Sequence, residues 1–193
     1  MNFSVTKNGK LLDPSLYTWD EKTKTFLTIE CGLVLDFNNM NNITFNTGSS
    51  CTFNTGWNCT FKTGSNCTFK TSSSCTFSTG PHCTFRTNSH CAFSTGSDCT
   101  FNTGSDCTFS TGSSCTFKTG SSCTFSTSSR CVIIRRDVFE VIQPEPNVEI
   151  TLNKFNIKGF EVVNRTHDIV IDGKTVTLSE ESFKSLKDQL IGE

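Results

Sequence analysis

The sequence predicts an all-β fold: a two-sided parallel β-solenoid flanked by an N-terminal β cap and a small C-terminal α+β segment. Three observations predict it. An octapeptide recurs without interruption through the middle of the chain, apolar and polar residues alternate inside each copy, and the polar residues segregate at every second copy.

The reference copy is Cys51-Thr52-Phe53-Asn54-Thr55-Gly56-Trp57-Asn58. Counting its cysteine as slot one, cysteine holds that slot at every step from Cys51 to Cys131, and phenylalanine holds slot three from Phe45 to Phe125. Threonine holds slot five from Thr47 to Thr127, and slot six is Gly, Ser or Asn. Slots one and three form one face and slots two and four the other, which is the alternation of a half-buried strand. Each copy therefore reads as a short strand followed by a turn, with slot six tolerating the left-handed backbone of a corner. The expected inward ladder is Cys51, Phe53, Cys59, Phe61, Cys67, Phe69, Cys75, Phe77, Cys83, Phe85, Cys91, Phe93, Cys99 and Phe101, and it continues to Cys131.

The frame extends beyond the intact copies if Leu27/Ile29, Leu35/Phe37 and Ile43/Phe45 precede them in slots one and three, and Cys131/Ile133 and Phe139/Val141 follow. On that reading the array runs over 27–146 and holds about fifteen units.

Two strands per coil give a flattened turn of 16 residues; three give a triangular turn of 24. Slot four separates the two. Alternate copies read Asn54, Lys70, Arg86, Asn102, Lys118 and then Lys62, Ser78, Ser94, Ser110, Ser126, a sorting that appears at step 16 and is lost at step 24. The two-sided form is favoured, with a rise of about 4.8 Å per coil and about 10 Å between sheets filled by Phe and Cys. His82 then lies one coil from Asp98, and His90 one coil from Asp106. The outward candidates are Thr52, Thr68, Lys70, Thr84, Arg86, Thr100, Thr116 and Lys118 on one face, and Thr60, Thr76, Ser78, Ser94, Thr108 and Ser110 on the other, with Ala92 breaking one Thr column.

The ends differ in composition. Residues 1–26 carry an Asn8-Gly9 hairpin signal and are expected to cap the first strands, because an open solenoid end exposes unpaired edges. After Pro144-Glu145-Pro146, residues 147–193 predict strands near 149–157 and 160–163, a hairpin turning at Asp172-Gly173, and a helix N-capped by Ser179 with Phe183, Leu186 and Leu190 on its apolar side. This segment is expected to act as a cap or as an oligomerisation or attachment module.

A formal net charge of -1 supplies no global attraction to nucleic acid, and none is expected as a partner. No run is apolar enough to span a bilayer, and the start lacks a signal-peptide core, so synthesis in a reducing cytoplasm is expected, with the 12 cysteines as buried free thiols. Cysteines eight apart do not present the local converging pairs of metal sites, and His82, His90 and His167 lie in no catalytic context. Walker, GxGxxG and HExxH motifs are absent, and the Asn-x-Thr triplets at Asn42, Asn58, Asn66 and Asn164 follow from a Thr-rich repeat. No catalytic residue, metal or cofactor is expected.

The Thr columns partly resemble the ladders of insect antifreeze and bacterial ice-nucleation solenoids, although those use Thr-x-Thr on one strand and here slot four varies. The octapeptide running into Cys131-Val132-Ile133-Ile134-Arg135-Arg136-Asp137-Val138-Phe139-Glu140-Val141-Ile142 is similar to repeat arrays of uncharacterised viral and phage-like reading frames. That resemblance implies a virion accessory or attachment role. The expected function is a non-enzymatic scaffold presenting a flat Thr/Ser/Lys surface to a protein or glycan, with self-association through an end or the C-terminal segment; ice binding is the alternative.

Overall fold

The computed structural model describes residues 3–38, 40–163, 166–171 and 174–191. Two facing sheets of 10 strands each carry the array, wound as a parallel solenoid of about 7 turns with about 16 residues per coil. Register is held residue for residue: Thr84, Phe85 and Arg86 pair with Thr100, Phe101 and Asn102 in the first sheet, and Thr76, Phe77 and Ser78 with Ala92, Phe93 and Ser94 in the second. Strands one octapeptide apart belong to opposite sheets, which excludes the triangular winding.

The core is a stack of rings. Phe53 and Phe69 lie 4.9 Å apart with planes 4° from parallel, Phe69 and Phe85 repeat the geometry at 4.9 Å, and the other sheet does the same through Phe61 and Phe77. Across the sheets the rings meet edge to face, as at Phe69–Phe77, 5.2 Å and 73°. Both arrangements suit the aromatic quadrupole and add about 0.5–1.5 kcal/mol per pair to plain burial. Slot five also points inward: Thr103 and Thr119 are fully buried, and each Oγ1 donates to the carbonyl of the following glycine. Three inward residues per copy, rather than two, line each strand.

The corners correct one expectation. The left-handed residue is slot eight, not slot six: Asn58, Asn66, His82, His90, Asp98 and Asp106 all have φ between 56° and 61°. Asn, Asp and His are the non-glycine residues that enter this region most readily, and Ser50, Ser74, Ser114, Ser122 and Arg130 take the same conformation in the remaining copies. Slot-six glycine serves close approach instead. A Cβ on Gly64 would lie 2.1 Å from Ser49 Oγ, and one on Gly104 2.3 Å from Ser89 Oγ. Those hydroxyls are themselves occupied, because Ser49 Oγ accepts the Ser65 amide at 3.1 Å and Ser89 Oγ accepts the Ser105 amide at 3.1 Å. The Gly-Ser pair thus forms a corner ladder of its own.

At the N-terminal end the chain turns antiparallel. Ser4–Lys7 pairs with Leu33–Phe37 and with Lys10–Leu11, while Thr18–Asp20 pairs with Thr25–Leu27. Phe3 lies 4.2 Å from Phe37, stacked, and Trp19 closes against both, so aromatic rings continue the column to its lid.

Three of the degenerate copies are corrected. Leu27 and Ile29 are 42% and 92% exposed, and Phe26 is the buried residue, paired with Phe45. Leu35 pairs with Phe53 and Phe37 with Thr55, so Leu33, Leu35 and Phe37 fill slots one, three and five, and the turn before Ile43 absorbs the extra residues. At the other end Cys131/Ile133 continue the ladder, but Phe139 and Val141 are 93% and 65% exposed. Glu140–Ile142 is no further coil; it folds back antiparallel on Val132–Arg135, and Glu149–Leu152 folds back on Thr124–Thr127.

Residues through Glu161 form one compact unit, and Val162–Glu193 form a second. The second contains the hairpin Thr166–Ile171 with Lys174–Ser179 and the helix Glu180–Ile191. The expected Asp172-Gly173 turn and the Asn164 triplet fall outside the described residues, as do the side chains of His167, Ser179 and Leu190.

Candidate functional site

The outward residues of each strand become columns because every coil repeats the register of the one before. On the first sheet slot two reads Val34, Thr52, Thr68, Thr84, Thr100, Thr116, Val132, and slot four reads Asp36, Asn54, Lys70, Arg86, Asn102, Lys118, Ile134. On the second sheet slot two reads Thr44, Thr60, Thr76, Ala92, Thr108, Thr124, and slot four reads Asn46, Lys62, Ser78, Ser94, Ser110, Ser126. Lys70, Arg86, Lys118, Ser78, Ser94 and Ser110 are exposed, as are Thr52, Thr60, Thr68, Thr76, Thr84, Thr100 and Thr108; Thr116 is half-buried.

The two faces carry different chemistry. From Thr76 to Ser126 the second presents hydroxyls and one methyl, without charge, whereas the first carries cations with no carboxylate beyond Asp36, which Asn54 engages through Nδ2 at 3.0 Å. Among the described residues the ion pairs are Lys7–Glu30, Arg135–Asp137 and Arg135–Glu140. His82 and Asp98 stand on successive coils of one corner column and His90 and Asp106 of the other, and neither pair closes into an ion pair.

The slot-one thiols from Cys51 to Cys131 are buried and free; Cys31 is free and exposed. Each buried sulfur sits where a corner turns inward and donates weakly to carbonyls there, as Cys67 Sγ does to Ser65 O at 3.5 Å and Gly48 O at 3.9 Å. Hydrogen bonding to the neighbouring thiol in the stack, followed by burial, pushes the Cys51, Cys75 and Cys107 thiols up, so they keep their protons and remain poor nucleophiles. Among the described residues no His/Cys/Asp/Glu cluster is arranged to hold a metal ion.

Three features have no counterpart in the repeat reading: the serine corner ladder, the buried guanidinium of Arg135, and the side chain of Arg136. The slot-seven serines carry a visible periodic signal. The arginines do not, since they fall where the frame breaks.

A hollow of about 310 Å³ lies at the N-terminal end, bordered by Tyr17, Leu27, Ile29 and Asn46, and another of about 530 Å³ lies within the second unit between its hairpin and helix, bordered by Ile169, Val176 and Leu186. Neither brings together an acid, a base and a nucleophile. No helix among the described residues is long and apolar enough to cross a membrane. The chain matches no protein family, no curated protein and no solved structure, so the likeness to viral and phage-like arrays finds no support there.

Proposed function

We propose that this protein is a non-enzymatic scaffold whose flat outer faces are contact surfaces for a partner. The observation that carries the reading is the in-register repetition of outward side chains at one coil's rise, backed by a continuous ring stack. A partner meeting such a face finds groups already held at fixed spacing, so little side-chain entropy is lost on binding.

The test is a pair of face variants. Thr84→Glu with Thr100→Glu alters the first face, and Thr76→Glu with Thr108→Glu alters the second, each at outward positions that leave the ring stack untouched. In a glycan array and a peptide array, the parent is expected to capture a ligand that one pair abolishes and the other retains. A ligand held equally by both pairs overturns the reading.

The uncharged hydroxyl lattice from Thr76 to Ser126 favours ice as a second reading for that face alone. Thermal hysteresis that disappears with Thr76→Glu/Thr108→Glu supports it; freezing behaviour identical to that of an inert control protein excludes it.

A further inference from the structure

The first face carries a denser line of positive charge than its sequence column suggests. Slot four there runs Lys70, Arg86, Asn102, Lys118, with an apparent gap at the third position. The gap is filled from elsewhere. Arg136, just beyond the last parallel strand, reaches back so that its Nη1 donates to Asn102 Oδ1 at 3.1 Å while Nη2 donates to the Thr103 carbonyl. Four successive coils therefore each hold one cation, separated by a rise of about 4.8 Å.

Among the described residues no ion pair involves any of these four cations; the pairs present involve Lys7 and Arg135. On this slot-four column the carboxylate is Asp36, two coils before Lys70 and engaged by Asn54; Asp137, next to Arg136, is held by Arg135, and Asp98 and Asp106 stand at the corners on either side of the Asn102 strand. Stacking like charges in register works against the folded state. The opposite face shows that the repeat has no need of it, since serine fills the same slot at 78, 94, 110 and 126.

We propose that this stripe binds a linear sulfated polysaccharide laid along the solenoid axis; the inference rests on the face reading above and names the ligand class. Lys70, Arg86 and Lys118 each have a threonine hydroxyl two residues before them on the same strand and face, Thr68, Thr84 and Thr116, and Thr100 holds that place on the coil where Arg136 meets Asn102, so a sugar hydroxyl and a sulfate can be met on one coil. A pyranose ring advances the chain by a length close to one coil's rise. An extended acidic peptide presents carboxylates on one side only at every second residue, about 6.8 Å apart, and takes its backbone bonds at sheet edges rather than on faces. Single-stranded nucleic acid gains its sequence-tolerant binding from aromatic stacking platforms, and no aromatic residue occupies slot two or four here.

The test is titration of the full chain with heparin, using neutral dextran, polyglutamate and a single-stranded DNA oligonucleotide as comparison probes at low and physiological salt. The variants are K70S/R86S/K118S, Arg136→Ser, and Lys62→Ser on the opposite face; circular dichroism melts check folding. Heparin binding is expected to weaken with salt and to fall about tenfold or more in the triple variant. Arg136→Ser should lose about threefold, Lys62→Ser nothing, and dextran should not bind. If the triple variant melts early, Lys70→Ser and Arg86→Ser carry the test singly, each with an expected loss of about threefold. Absence of heparin binding by the parent, equal binding by the stripe variants, or tighter binding of polyglutamate or DNA at equal charge overturns the proposal. A failure with heparin leaves the face reading in place, because the paired glutamate variants judge that reading with whatever ligand the arrays return.

Discussion

Asp137 grips Arg135 with both carboxylate oxygens, Nε to Oδ1 at 3.2 Å and Nη2 to Oδ2 at 2.6 Å, and the guanidinium is completely buried. Arg135 stacks on Thr119 in slot five, so it occupies the position where the inward column ends. Its Nη1 donates to the carbonyl of Ile157 at 2.6 Å and to that of Gly159 at 3.2 Å, tying the 153–159 loop across the end of the core. A charge in this place closes the solenoid because a bare stack of Phe and Ile would expose apolar surface to any neighbouring molecule.

Removing Asp137 takes away the closer of the two carboxylates that hold this buried cation and leaves it Glu140 at 3.8 Å. Asp137→Ala is expected to lower stability by about 3–5 kcal/mol, and combining it with Arg135→Met is expected to recover part of that loss. Chemical denaturation of the single variant, the double variant and the parent measures both effects; a double variant no better than the single one contradicts the account.

The same pair sets an acid limit. Burial opposes the Asp137 charge, but the hydrogen bond from Arg135, the Asn156 amide and the Arg135 charge together hold its carboxyl below the usual range of about 4. A depressed folded pKa adds stability above the unfolded value and withdraws it as pH falls through the folded one. The parent should therefore lose stability below about pH 4 more steeply than Asp137→Asn, as read by melting temperature across pH.

Phe85 is stacked on both sides, 4.9 Å from Phe69 and 4.8 Å from Phe101. Phe85→Ala opens a cavity in mid-column and is expected to cost about 3–5 kcal/mol. In a quasi-one-dimensional array the damage should be felt mainly by adjacent coils, which hydrogen exchange resolves strand by strand.

Gly64→Ala should destabilise by about 1–3 kcal/mol through overpacking against Ser49, since its backbone is not left-handed and conformational strain plays no part. Ser49→Ala in the same chain removes the clashing oxygen and should restore part of the loss even though it forfeits the hydrogen bond from the Ser65 amide.

Thiol accessibility separates corner from core. Cys31 occupies the serine ladder's place, accepting the Ser49 amide at 3.3 Å, and it alone is exposed. Brief alkylation of the native protein should add a single label at Cys31, with the remaining thiols reacting only on unfolding; mass spectrometry counts the labels. Rapid labelling at Cys67 or Cys99 would mean that the ladder is open to solvent.

Much of this molecule was legible because a short repeat multiplies weak local signals. Alternation placed Cys and Phe inward, and the sorting of lysine and arginine against serine at slot four identified the coil as two-sided. Where the repeat degenerates the same logic misplaces residues: Leu27/Ile29 and Phe139/Val141 have the right spacing, yet all four are exposed, because Thr25–Leu27 runs parallel with Phe26 rather than Ile29 in register with Phe45, and Glu140–Ile142 runs antiparallel. Propensity puts the left-handed corner at slot six, with its Gly, Ser or Asn, whereas the tertiary winding uses Asn, Asp, His, Ser and Arg130 at slot eight and reserves slot-six glycine for close approach to the preceding coil.

By itself, then, the sequence determined the period, the inward ladder and the outward columns, because those depend on contacts that every coil repeats. Only the tertiary structure decided how the column is closed and how the cationic stripe is completed. Arg135 reaches Ile157 and Gly159, and Arg136 reaches Asn102 and Thr103, and no periodicity encodes an interaction that occurs once.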